Sequence, residues 1–258
     1  MVLELKNVTK NFGGISALTD VSFTINEGEI FGLIGPNGAG KTTMFNVITN
    51  MFLPTSGEIN FLGEKISGTK PHKITDKGIC RTFQNIRLFS QMTVLENVLV
   101  GRHCRSKSGV FSSVFRTKSQ QSEEAMTREA ATELLDLVGL SDYEDVIAEN
   151  LAYGQQRRLE IARALASNPK LLLLDEPAAG MNETETENLF DLIKEVQKKG
   201  VTVLLIEHDM PFVMKLCDRI TVLNFGKKLA EGTPEEIQNN KDVIEAYLGS
   251  EEDDDLDA

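Results

Sequence analysis

Lys41 and Thr42 close an octet, GPNGAGKT from Gly35 to Thr42, that fits the spacing G-x-x-x-x-G-K-[ST] at every position. Residues of these types at this spacing suit one chemistry, the cradling of phosphate groups. Gly35, Gly38 and Gly40, with Pro36, Asn37 and Ala39 between them, let the backbone turn tightly enough for several N–H groups to face phosphate oxygens. Lys41 brings a positive charge to the β- and γ-phosphates, and Thr42 offers a hydroxyl to Mg²⁺. A helix that opens here and continues through Thr43 adds its positive dipole end. A glycine-rich turn with a chance lysine is the bland alternative. The flanks argue against it, since a strand-like run at 29–34 precedes the octet and a helix-like run at 43–50 follows.

A second segment, KLLLLDE at 170–176, supplies carboxylates. Four consecutive leucines suit a parallel strand buried on both faces. Acidic residues at the C-terminal end of such a strand stand where open α/β sheets bind ligands. Asp175 is then placed to hold the water shell of Mg²⁺, and Glu176 to polarise an attacking water as general base. Alone, the segment reads as a strand ending in a solvated acidic turn. Behind a phosphate loop, nucleotide hydrolysis is the stronger reading.

Between the two lies LAYGQQRRLEIARAL, from Leu151 to Leu165. A glycine in a loop that opens an amphipathic helix can form a second phosphate site from N–H groups and the helix dipole. This stretch resembles the LSGGQ signature of ATP-binding cassette (ABC) proteins. Leu151, Gly154 and Gln155 match, whereas Ala152 and Tyr153 depart from it. The resemblance implies that Ala152, Tyr153, Gly154 and Gln155 complete the ATP site of a partner subunit, giving a head-to-tail dimer with two shared nucleotides. Alanine at 152 removes a hydroxyl that the family aims at the γ-phosphate, a hydrogen bond worth roughly 1.5–3 kcal/mol.

The other family landmarks follow in order. By resemblance, Gln84 in RTFQN senses Mg²⁺ and the γ-phosphate, His208 in LLIEHDM contacts the γ-phosphate and positions the water, and Phe12 in KNFGG stacks on adenine. AAGMN at 178–182 occupies the dimer-contact loop, with Asn182 where the family has aspartate. The signature stretch, DEPAAGMN, RTFQNIRLF and an insertion after Gly101 resemble the branched-chain amino acid importer branch. That likeness implies ATP and Mg²⁺ as cofactors and two ATP-binding subunits, identical or paralogous. It also implies two membrane permease subunits, an external solute-binding protein, and a peripheral place on the cytoplasmic face of the membrane. Rival readings are a single-domain non-transport ABC ATPase, such as one serving iron–sulfur cluster assembly, and a phosphate-loop kinase or switch protein.

The elements that must carry these residues follow from periodicity. Short β-like runs at 3–8, 21–25, 29–34 and 57–61 alternate with Gly/Asn turns. A helical period covers 94–100, 122–137 and the signature helix, and β/α alternation returns from 171. The expected fold is α/β, a phosphate-loop ATPase core whose mostly parallel sheet is flanked by helices, with an N-terminal antiparallel β subdomain and an inserted helical lobe. One cassette spans 1–250: the first core part at 1–85, the helical lobe at 86–166 and the second core part at 167–250. Residues 251–258 form an acidic tail expected to be disordered.

Composition narrows the rest. The 258 residues hold no run near the ~20 apolar residues of a membrane-spanning helix, and the start MVLELKNVTK has neither the basic nor the apolar region of a signal peptide. Cys80, Cys104 and Cys217 lack C-x-x-C spacing and read as reduced thiols. A net charge of −12 argues against nucleic acid as a partner. Against that acidity, 102–128 is locally basic and reads either as a solvated excursion or as a contact for a membrane partner.

Overall fold

Two kinds of strand pattern give two sheets. The computed structural model describes the backbone of residues 1–102 and 118–254, and the side chains of 1–102 and 125–247. Strands with one buried face, β1 (Leu3–Phe12), β2 (Ile15–Ile25) and β4 (Ser56–Phe61), join the short exposed β5 (Glu64–Lys65) in an antiparallel sheet of order β2-β1-β4-β5. The β1–β2 hairpin runs further than the apolar pattern of 3–8 and 21–25 predicts. Its outer end is exposed on both faces, so no buried alternation marks it.

Strands apolar throughout form the second sheet. In β3 (Ile30–Ile34), β7 (Leu171–Asp175) and β8 (Thr202–Ile206) every residue is buried. With β6 (Ile79–Arg81) and β9 (Arg219–Asn224) they run parallel in the order β9-β3-β8-β7-β6, and β10 (Lys227–Gly232) adds antiparallel at the β9 edge. Neither β10 nor β6 is signalled by periodicity in the sequence. The first is a half-exposed polar edge strand, and the second is too short to show a period.

Helices cover both faces. Phe31, Leu33, Leu173 and Leu204 pack toward the antiparallel sheet and α1 (Lys41–Ile48), while Ile30, Leu172, Leu174 and Leu205 pack on the opposite side. That second core includes α6 (Glu183–Lys198) and α7 (Met210–Leu216). It continues into a cluster of three mutually packed helices, α3 (Val94–Arg102), α4 (Lys118–Leu137) and α5 (Tyr153–Ala166). An unanticipated short helix, α2 (Pro71–Lys77), starts on a proline and stops at Gly78, whose φ of 111° suits glycine.

The chain closes with α8 (Pro234–Gln238) and α9 (Lys241–Asp254). The helix extends into the segment read as a disordered tail, because adding residues to a helix already anchored by buried Val243 costs far less than starting one. Residues 255–258 lie outside the described part, as do Cys104 and the basic residues Arg105, Lys107 and Arg116. Cys80 and Cys217 are buried free thiols, and burial pushes Cys217 up to about 12. Among the described residues no helix is long and apolar enough to cross a membrane.

Candidate active site

The octet leaves the C-terminal end of β3 at the middle of the parallel sheet. Gly35, Gly38 and Gly40 have φ values of 151°, 74° and 101°, a region that side-chain-bearing residues avoid. Space adds a second reason at two of them. A Cβ on Gly35 would stand 2.1 Å from the Leu223 carbonyl oxygen, and one on Gly40 would stand 2.7 Å from that of Ala17. The loop is therefore seated between β9 and β2. Lys41 is only 6% exposed, and its Nζ donates to the carbonyls of Gly35 at 2.6 Å and Pro36 at 2.9 Å. Burial lowers its pKa, opposed by the charges of Glu176 and Asp175. Thr42 is exposed and Thr43 half-buried on the first turn of α1, while Asn37 and Gly38 face solvent.

Three neighbouring strands deliver the other groups. Asp175, the last residue of β7, is 4% exposed, and its Oδ2 accepts from Arg81 at the end of β6 at 2.7 Å. Glu176 follows with φ of 47°, a left-handed conformation that turns its side chain out of the strand. One carboxylate oxygen accepts from the Gln84 amide at 2.6 Å, and the other lies 2.9 Å from His208 Nε2. Lys41, Gln84, Asp175, Glu176 and His208 thus converge beyond the C-terminal ends of β3, β6, β7 and β8. Phe12 ends β1 as a 41% exposed ring, edge-to-face on Phe52 with centroids 5.1 Å apart. Such a ledge offers a π-face to an aromatic ligand.

Two residues of this site carried no signal of their own. Arg81 bridges Asp175 and the Asn46 side chain of α1, with its guanidinium between the rings of Phe45 and Phe83. Glu207 is 3% exposed; its Oε1 accepts from Ala178 N at 2.6 Å and its Oε2 from His208 N at 3.0 Å. It ties the loop after Glu176 to the loop of His208. Burial raises its pKa, and the backbone donors of Ala178, His208 and Asp209 work against that rise.

The folded protein therefore holds this proton more tightly than the unfolded chain does. Its contribution to stability is full below the ordinary carboxylate value and is lost as pH rises through the folded value. In calorimetry at pH values rising from the ordinary carboxylate range, the difference in Tm between Glu207→Gln and the native protein should shift in the variant's favour. A difference constant with pH would contradict this.

The second glycine site stands on α5. Ala152 is its N-cap and has no acceptor to offer, while Gln155 Oε1 accepts from Ala152 N at 3.0 Å. Tyr153, 44% exposed, lies against Gly180, and Gly154 lies against α6. A Cβ on Gly154 would come 2.4 Å from Glu185 Oε1. That carboxylate caps α6 reciprocally with Asn182, which explains how asparagine serves here: its Oδ1 accepts from Glu185 N at 3.0 Å. Tyr153 and Gly154 thus contact the 180–185 segment of their own chain, and a side chain at 154 would push the Glu185 carboxylate off its cap.

Known proteins are similar to this chain over nearly its whole length. The family profile for ABC transporter matches residues 18–179, and one for branched-chain amino acid ATP-binding cassette transporter matches 227–253. The high-affinity branched-chain amino acid transport ATP-binding protein BraF of Pseudomonas aeruginosa is 48% identical over 249 residues, spanning 96% of this chain and 98% of its own. LivG of Escherichia coli, with the same description, is 47% identical over the same spans. Among solved structures, the ABC transporter cassette MJ1267 in its ADP conformation superposes with a TM-score of 0.83 at 34% identity, covering 96% of this chain and 98% of that one. The cassette MJ0796, dimeric with ADP and Pi, gives 0.75 at 30% identity, over 90% and 98%. The non-transport rival finds no support among these relatives. The chain belongs to the ABC transporter ATP-binding family, in the group formed by the branched-chain amino acid transport ATP-binding proteins.

Proposed function

We propose that the chain is the ATP-hydrolysing subunit of an importer that takes up branched-chain amino acids. The observation that carries the hydrolytic part is Glu176, held between Gln84 and His208 beside Asp175 and Lys41. Family membership carries the transport part.

The residues present suit Mg²⁺ brought in with a nucleotide. Among the described residues no group of three or more His, Cys, Asp or Glu side chains could hold a metal alone. Thr42, Asp175 and Gln84 instead offer one hydroxyl, one carboxylate and one amide, as expected for an ion that keeps waters and phosphate oxygens as ligands. When bound, Mg²⁺ would neutralise phosphate charge and orient the γ-phosphoryl group.

In this reading the 35–42 loop receives the triphosphate and Phe12 the adenine. Lys41 exchanges the carbonyls of Gly35 and Pro36 for phosphate oxygens. Glu176 takes a proton from the attacking water as its oxygen bonds to the γ-phosphorus and the bond to the β,γ-bridging oxygen breaks. His208 and Gln84 keep the Glu176 carboxylate aimed.

Residues 152–155 complete the site of a second subunit placed head-to-tail, and the two ATP-binding subunits drive two membrane permeases served by an external solute-binding protein. A groove of about 510 Å³ lined by Arg81, Phe83, Arg87, Phe89, Val100 and Arg163 is where a permease helix would seat, at the cytoplasmic face of the membrane. Reconstitution of the chain with its permeases and binding protein in proteoliposomes should give ATP-dependent uptake of labelled leucine, isoleucine or valine. A complex that hydrolyses ATP yet moves none of them would overturn the solute. Failure to assemble with any permease would overturn transport.

A further inference from the structure

Arg157 is the bulkiest fully buried side chain described in the protein, and it forms an ion pair with Glu160 one helical turn along α5. Their side chains are 0% and 1% exposed. Arg157 Nη1 donates to the Phe83 carbonyl at 2.6 Å and to Glu160 Oε2 at 2.9 Å, and Nη2 donates to the Gln84 carbonyl at 2.7 Å. Glu160 Oε1 accepts from Arg87 N at 3.1 Å. Glu160 also lies close enough to Arg163 for their charges to attract, but the hydrogen bonds beyond the pair itself go to the backbone of 83–87, so what the pair fixes is where that segment lies.

Burying two charges is seldom the most stable way to fill a core. Apolar residues of similar volume often serve as well or better. What the pair supplies is direction: three charge-assisted hydrogen bonds, which are stronger and more directional than neutral ones, join α5 to one loop. That loop carries Gln84, whose amide reaches Glu176 at 2.6 Å. The helix doing the holding begins with residues 152–155.

We propose that Arg157 and Glu160 are positioning residues that make the Gln84 segment move with α5. Seating the start of α5 on the facing subunit's nucleotide then sets the grip of Gln84 on Glu176 in its own site. This rests on the head-to-tail pairing proposed above. It gives the two ATP sites a route of communication three links long: α5, the Gln84 backbone, and the Gln84 amide.

The test is the double variant Arg157→Met/Glu160→Leu, which removes both charges together so that neither is left buried alone. ATP affinity should stay within about twofold, while kcat falls about tenfold or more through misplacement of Gln84. Adding Gln84→Ala should then cost less than about a further twofold, although in the native background it acts in full, because the contact is already lost.

A second readout uses hydrogen exchange in the Glu176→Gln background. ATP should protect the amides of both 152–160 and 83–87 in the otherwise native chain, and only those of 152–160 in the chain with the double substitution. If the double variant does not fold, Arg157→Gln/Glu160→Gln, which removes both charges but keeps polar side chains, enters the same measurements. Native kcat in a folded variant, additive loss with Gln84→Ala, or joint protection of both segments would each overturn the proposal. Full hydrolysis by Glu176→Gln would instead strike the catalytic reading, so the two failures are distinguishable.

Discussion

Glu176→Gln stops turnover while ATP stays bound. The amide is nearly isosteric with the carboxylate, still presents an oxygen toward Gln84, and adopts the φ of 47° at no greater strain than glutamate. The fold and the phosphate contacts around Lys41 are untouched. What disappears is the base. Positioned general bases contribute about 10²–10⁴-fold, and hydrolysis should fall by that order. With hydrolysis blocked, the ATP-bound dimer accumulates and elutes early in size-exclusion chromatography. Hydrolysis within about twofold of native would remove Glu176 from the mechanism.

Lys41→Ala fails one step sooner, at binding. The ammonium group is already gathered into the loop by the carbonyls of Gly35 and Pro36, and although burial lowers its pKa, the negative charges of Glu176 and Asp175 lie close enough to oppose that lowering. Removing it leaves those carboxylates to repel the triphosphate with nothing in between. A hydrogen bond to a charged group contributes about 1.5–3 kcal/mol, so ATP affinity should drop at least about tenfold. Equilibrium titration with a fluorescent ATP analogue measures this. An unchanged dissociation constant would mean that the octet is a turn and not a cradle.

The parts of the site written locally were legible in the chain. The octet states its own backbone requirements through glycine spacing, and four leucines before Asp175 announce a buried strand with an acid at its end. Distant pairings leave no such trace. Arg81 meets Asp175 across the β6–β7 pairing, and nothing near Arg81 in sequence points to it. Glu207 sits beside the recognisable His208, but a glutamate at a strand end reads as solvated until the fold shows it buried. Gly154 was readable as a phosphate approach, but its contact with Glu185 depends on how α5 crosses α6. The same holds for β6 and β10, whose strand character comes from the neighbours they pair with.

The order of strands around β3 also governs when the protein can first acquire a working cradle during synthesis. The antiparallel sheet is complete once Lys65 has been made, but β3 waits for both of its neighbours, since Ile30 pairs with Val203 and Phe31 with Arg219. The seat of Gly35 against Leu223 comes later still. Pairings this far apart are slow to form, and here they are also sequential on the ribosome. A nascent chain therefore carries its most recognisable segment unsupported until residues as far along as Leu223 have been made, and only then can the cradle be seated for nucleotide.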